Sequence, residues 1–173
     1  YIITHHGMFI SKQQIMDALW SEQDEKTADR DFKVALNALH SALEPGRKAR
    51  MKPFFIKRSG NSYGLNSDSG YKLDTIEFEQ CVLIGLEEKD QVQAKAFLEK
   101  GLKLYKGEYM PQRLYEEWCN HERERLQLIF LRGAEKLAQL SISMNNINSA
   151  IHWCDVILKK DKTWEEAYRL LMY

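Results

Sequence analysis

The chain has 173 residues, 44% hydrophobic and 29% charged, with 25 Lys and Arg balanced by 25 Asp and Glu. That length can bury a real core and fill one ordinary domain or two small ones, and two are expected. No apolar run approaches a membrane span and no charged-then-apolar leader opens the chain, so a soluble protein with no membrane partner is expected.

Three cysteines, Cys81, Cys119 and Cys154, are far apart and form no C-x-x-C pair. This speaks against a disulfide framework or a structural zinc site and favours a reducing cytoplasm. The zero net charge conceals an asymmetry. Residues 1–66 hold ten Lys and Arg against seven Asp and Glu, a balance of +3, and the remainder carries −3.

In chain order, Tyr1 to His6 read as the tail of a helix that begins before the first residue, with Gly7 as its C-terminal stop. The chain therefore reads as a piece of something longer. Ser11 is placed to N-cap a helix over Lys12 to Trp20, whose inner face is Ile15, Ala18 and Leu19. After the short polar connection Ser21 to Glu25, Ala28, Phe32, Ala35, Leu36, Leu39 and Leu43 recur at three and four, the spacing of one helix face. Pro45 and Gly46 end this second helix. Phe54 to Ile56, the turn Ser59-Gly60-Asn61 and Ser62 to Leu65 then spell a β-hairpin. Asn66 to Gly70, all small or polar, forms the domain boundary.

Two helices joined by so short a turn and followed by a hairpin are the parts of a winged helix-turn-helix, in which the second helix lies in the major groove. Lys26, Arg30, Lys33, Asn37 and Ser41 fall opposite its apolar stripe, where they could reach phosphates and base edges with no acid between them, Asp29 and Asp31 flanking. Six basic residues, Arg47, Lys48, Arg50, Lys52, Lys57 and Arg58, occur without an acid between Pro45 and Gly60. Lys48, Arg50, Lys57, Arg58 and Asn61 are the expected contacts to phosphate or minor groove from this segment and the hairpin.

From Asp74 onward the pattern is helical, with helices expected near Asp74–Glu88, Asp90–Lys106, Leu114–Met144, Ile147–Lys160 and Thr163–Tyr173. Leu137 and Ala138, then Ala150, then a new helix after Asp161 follow in part the spacing of a helix-pair repeat. Ala94 and Gly101 suggest a less regular pair before it. Such repeats stack into surfaces that receive partners.

Two stretches carry a family resemblance. Ile15-Met-Asp-Ala-Leu-Trp20, the run Arg30 to Leu43 and Gly60-Asn-Ser-Tyr-Gly-Leu65 resemble the winged-helix domain shared by response regulators and bacterial antibiotic-pathway activators. Asp74, Phe78, Gly107-Glu-Tyr109, Tyr115-Glu-Glu-Trp118, Glu122-Arg-Glu-Arg-Leu126 and Glu165 to Met172 resemble the bacterial transcriptional activator domain, a tetratricopeptide-like helical module. The resemblance implies a mainly α protein: a DNA-binding winged helix over 1–66 followed by a tetratricopeptide-like domain over 71–173. Its implied partners are double-stranded DNA, RNA polymerase and an upstream sensor or receiver domain of the parent chain. Separately, the last helix, with Ala167, Leu170, Leu171 and Met172, is expected to be an uncapped face that packs on later helices of the parent protein or on a second copy in a homodimer. Ala38, His40 and Ser41 stand where the family usually shows arginines.

Other constellations read more plainly as structure. Trp20 closes an apolar face as a core residue. Cys119 with His121, and His152 with Cys154, lie two apart and would face different ways on a helix, so no metal site is expected. Glu116, Glu117, Glu122, Arg123, Glu124 and Arg125 read as surface ion pairs. No nucleophile motif or phosphate loop is present, and neither an enzyme nor a cofactor is expected. The rival to a DNA reader is an interaction module whose winged helix no longer binds DNA.

Overall fold

The computed structural model describes residues 1–48 and 51–172. The chain is mainly helical with one small antiparallel sheet, and it divides into two compact units, Tyr1–Tyr71 and Lys72–Tyr173. Arg50 and Tyr173 lie outside the described residues.

The first unit opens on turns. The His6 amide donates to the Ile3 carbonyl and that of Met8 to His5, three residues back, so Tyr1–His6 is tighter than the α-helical tail expected. Gly7, at φ +80°, makes the stop. A strand of two residues follows, β1 (Ile10–Ser11), which the sequence reading did not contain. Ser11 also caps α1 (Lys12–Leu19): its Oγ accepts from the Gln14 amide while the Gln14 side chain accepts from the Ser11 amide. With Ser11 fixed in the sheet, the helix turns Ile15 and Met16 inward. Ala18 is only half-buried and Leu19 is exposed, which corrects the expected inner face.

Asp24 starts α2 (Glu25–Leu43) by accepting from the amides of Lys26 and Thr27. Ala28 and Phe32 are buried, and Leu36 and Leu39 are half-buried on the same core. Ala35 lies at the edge of the stripe and Leu43 runs past the end of the core, so both are exposed. His40 is buried instead. A four-residue step overshoots one turn by about 40°, and the stripe drifts around the helix until it reaches His40.

The hairpin joins β2 (Ile56–Ser59) to β3 (Ser62–Leu65) in the register Ile56↔Leu65 and Ser59↔Ser62. Gly60, at φ +58°, supplies the first position of its two-residue loop. The sheet order is β1-β3-β2. Ile10, Ile15, Ala28, Phe32, Ile56 and Tyr63 form the core beneath it, with Phe32 and Tyr63 edge to face at 5.1 Å. Asn66, 1% exposed, closes the base of the hairpin by donating from Nδ2 to the Phe54 carbonyl.

The second unit consists of α3 (Asp74–Glu87), α4 (Gln91–Leu104), α5 (Asn120–Ser143), α6 (Ile147–Lys160) and α7 (Glu165–Leu171). α5 packs against all four of the others. Its expected start at Leu114 is wrong: Pro111–Arg113 and Glu117–Cys119 are single 3₁₀ turns. Arg123 holds the non-helical segment in place. Its guanidinium donates to the carbonyls of Tyr109, Arg113 and Leu114, at 3.1, 3.0 and 3.4 Å. Arg125 bridges α5 to α3 through Glu79 while also holding Glu122.

The crossings are set by missing side chains. A Cβ on Gly101 of α4 would lie 2.9 Å from Cγ2 of Val82, and one on Gly133 of α5 would lie 2.9 Å from its Cγ1. Val82 is fully buried between them. Ala94, Leu137, Ala138, Ala150 and Ala167 are likewise buried. Of the face expected to lie open on the last helix, Ala167 is buried and Leu170 packs half-buried on the core, while Leu171 and Met172 are exposed, as is the neighbouring Tyr168, so the open face is smaller than expected.

Gly101→Ala should therefore destabilise the protein. The methyl gains about 1 kcal/mol of helix propensity but must displace Val82 and press on the Cys81 Cβ and Phe78 carbonyl, so a net loss of about 1–2 kcal/mol is expected in urea unfolding. Unchanged or increased stability would show that the α3–α4 crossing has slack.

Candidate nucleic-acid interface

Helix α2 carries Lys26, Arg30, Lys33, Asn37 and Ser41 on its exposed side. The acids beside that row reach into it, contrary to expectation. Asp31 takes the Arg30 Nε at 2.9 Å and Asp29 takes the Lys33 ammonium at 2.6 Å. Asp29 is also paired with Lys12, which anchors it between the two helices. The Arg30 and Lys33 side chains remain 71% and 66% exposed, so these pairs are solvent-screened and weak enough to exchange for another anion. The side chains of Lys26, Asn37 and Ser41 make no hydrogen bond or ion pair among the described residues.

The basic segment is also less unopposed than its sequence implies. Glu44 holds Arg47 at 3.6 Å, and Arg47 donates to the Met51 carbonyl. Lys57 is paired with Asp68 across the base of the hairpin at 2.8 Å. Arg58 donates from Nε to the Gly60 carbonyl and lies 5.8 Å from the Tyr63 ring centroid, folding its charge along the hairpin. Asn61 is exposed at the tip, and its carbonyl accepts from the Lys12 amide. Lys48 is exposed, and Arg50 lies outside the described residues.

Two residues that the sequence reading did not select connect helix and hairpin. Glu44, just past the end of α2, accepts the amides of Phe54 and Phe55 at 2.8 and 3.2 Å. It thereby fixes where β2 begins relative to α2, over a ten-residue separation that no local pattern announces. His40 is 6% exposed and its Nδ1 is buried without a hydrogen-bond partner. It lines a groove of about 900 Å³ between helix and hairpin together with Leu36, Lys52, Phe54 and Lys57.

Both groups titrate away from their ordinary values. Burial, reinforced by Arg47 and opposed by Glu44, lowers the pKa of His40. Burial would raise that of Glu44, but the Phe54 and Phe55 amides and the Arg47 charge outweigh it and hold the carboxyl below its usual range. Among the described residues no three metal-ligating side chains cluster, and no helix is long and apolar enough to cross a membrane.

The model of the family named bacterial transcriptional activator domain matches residues 73–173. The chain belongs to this family. It is a regulatory family, and the match covers α3 to α7, leaving the sheet, α1 and α2 outside it. No curated protein matches the chain. Within the bacterial transcriptional activator domain, Phe78, Tyr109 and Arg123 are among the residues that carried the resemblance. Phe78 is 2% exposed, and Arg123 holds the Tyr109 carbonyl.

The junction of α2 and the hairpin should be acid-labile in two steps. His40 resists a proton that the unfolded chain accepts near its ordinary 6.5, so stability is full above that pH and falls below it. The Glu44 contribution is present above its ordinary 4.5 and is lost as pH falls through the lower folded value. In urea unfolding as a function of pH, His40→Leu should remove the upper limb and Glu44→Gln the lower one.

Proposed function

We propose that the protein is a DNA-binding transcriptional regulator of the activating kind, in which a winged helix-turn-helix formed by α1, α2 and the hairpin reads duplex DNA. The tetratricopeptide-like helical unit would then contact RNA polymerase or other domains of the parent chain. The observation that carries this reading is the exposed row Lys26, Arg30, Lys33, Asn37 and Ser41 on α2 beside a hairpin bearing Lys57, Arg58 and Asn61. Membership in a transcriptional activator family supports it. Arg30 and Lys33 suit guanine, and Asn37 suits adenine. The acids that hold Arg30 and Lys33 act as placeholders that phosphates or bases displace. Lys48, Arg50, Lys57 and Arg58 serve as phosphate contacts.

A second reading, an interaction module with no DNA affinity, draws on those same ion pairs and on Val34, 63% exposed on α2. Salt dependence separates the two. On a duplex selected from random sequence, Asn37→Ala should lose about 1–3 kcal/mol of discrimination at one base position. Each of Lys48→Ala, Lys57→Ala and Arg58→Ala should reduce the slope of log affinity against log salt by roughly 0.9 with little change in sequence preference. Absence of duplex binding at low salt would favour the second reading.

Self-association would involve Leu171 and Met172, which are exposed at the end of α7. Sedimentation should then show a concentration-dependent dimer that Met172→Glu weakens. Leu170→Glu should instead lower stability, since Leu170 packs on the core.

A further inference from the structure

The sheet of the first unit ends on a strand with an open edge. In the order β1-β3-β2, β2 pairs with β3 alone. The Asn66 amide donates to the Phe55 carbonyl, and bonded and non-bonded pairs alternate along an antiparallel ladder, so Lys57 and Ser59 direct their amides and carbonyls to β3. Those of Ile56 and Arg58 point the other way, and none of them has a hydrogen-bond partner among the described residues.

The groove of about 900 Å³ between helix and hairpin runs along this edge. Successive strand residues point to opposite faces, yet all four residues of β2 line the groove, so it straddles the edge and is not confined to one face. α2 contributes Leu36 and His40, and Phe9 and Phe54, 49% and 51% exposed, add aromatic surface that no core covers. Lys52, Lys57 and Arg58 line the groove, and among the described residues no acid does. Lys57 is paired with Asp68, but both side chains stand in water, where such a pair is weak.

We propose that this groove takes an extended acidic segment of a partner protein, which adds to the sheet as a strand beside β2. Three features select that guest. Its own amides and carbonyls meet both kinds of free group on Ile56 and Arg58, whereas a nucleic-acid phosphate can accept from the amides but offers no hydrogen to the carbonyls. A second β2 would set Lys57 and Arg58 against their own kind, which disfavours pairing between copies. Alternating side chains would bring apolar groups to Leu36, Phe9 and Phe54 and carboxylates to the three cations. A match to the four residues of β2 spans roughly 13 Å, at about 3.3 Å per residue. The inference stands independently of DNA binding.

Amide hydrogen exchange of the full chain, read by NMR, tests it with a blocked hexapeptide alternating glutamate and valine. Saturating peptide should slow exchange at Ile56 and Arg58 by about ten-fold or more and leave Lys57 and Ser59, already bonded to β3, unchanged. In fluorescence anisotropy the same peptide with lysine for glutamate should not bind, and Lys52→Gln/Arg58→Gln, both on exposed positions, should weaken the acidic peptide about ten-fold. Because only every second amide of an added strand faces β2, N-methylating the valine amides and N-methylating the glutamate amides should differ, one set abolishing binding and the other sparing it. No protection at Ile56 and Arg58, equal binding of the lysine peptide, or equal effects of the two N-methylated sets would overturn the proposal. So would protection of these amides by a duplex but not by the peptide, which would assign the groove to DNA, or protection that grows with protein concentration alone, which would assign it to a second copy.

Discussion

The helical unit depends on one close contact, the wedge of Val82 between Gly101 and Gly133. Close packing leaves no room for even a methyl group at either glycine without moving that side chain. α4 and α5 both approach α3 at Val82, and Gly85 of α3 meets Leu98 of α4 one turn away, so the α3–α4 crossing is held at two points. The rest of the unit packs around these crossings. Tyr105 leaves the end of α4 already stacked on Phe130 of α5, with centroids 4.4 Å apart, and Arg125 of α5 meets Glu79 of α3.

The first unit is organised by β3, the middle strand, which receives β1 on one side and β2 on the other. A two-residue edge strand contributes little by itself, but Ser11 belongs both to it and to the capping box of α1. One residue thus transmits the position of the sheet to the first helix. At the other end, Glu44 does the same between α2 and β2 through two backbone amides. Hydrogen bonds from backbone amides to a carboxylate are stronger than those between neutral groups, which suits a residue that has to hold a hairpin against a helix.

The charges around α2 show how a balanced surface can still suit an anionic partner. Arg30 and Lys33 are held by neighbouring acids but remain largely in water, where such pairs are worth little. Exchanging an acid for a phosphate there would cost little, as the proposed readout requires. Lys57, paired with Asp68 and half-exposed, belongs to the same class. The proposed readout thus rests on cations that are weakly occupied, which makes its affinity sensitive to salt.

The sequence by itself determined what repeats locally. The helix period marked α2, α3, α4 and α6 to within a residue or two, Gly60 marked the hairpin loop, and the motif residues carried the family. Side-chain exposure on α2 was legible for the same reason, since the rotation per residue places Lys26, Arg30, Lys33, Asn37 and Ser41 opposite Ala28 and Phe32 whatever surrounds them. Only the tertiary structure decided features made by residues far apart in the chain. Strand β1 exists because Ile10 meets Tyr63, and the segment before α5 is held by Arg123, which reaches carbonyls as far back as Tyr109. Glu44 finds its partners ten residues away, and His40 is buried where the drifting stripe of α2 reaches the hairpin. Hydrogen bonding and burial at these places depend on distance in space, and a single chain of letters records only distance along the backbone.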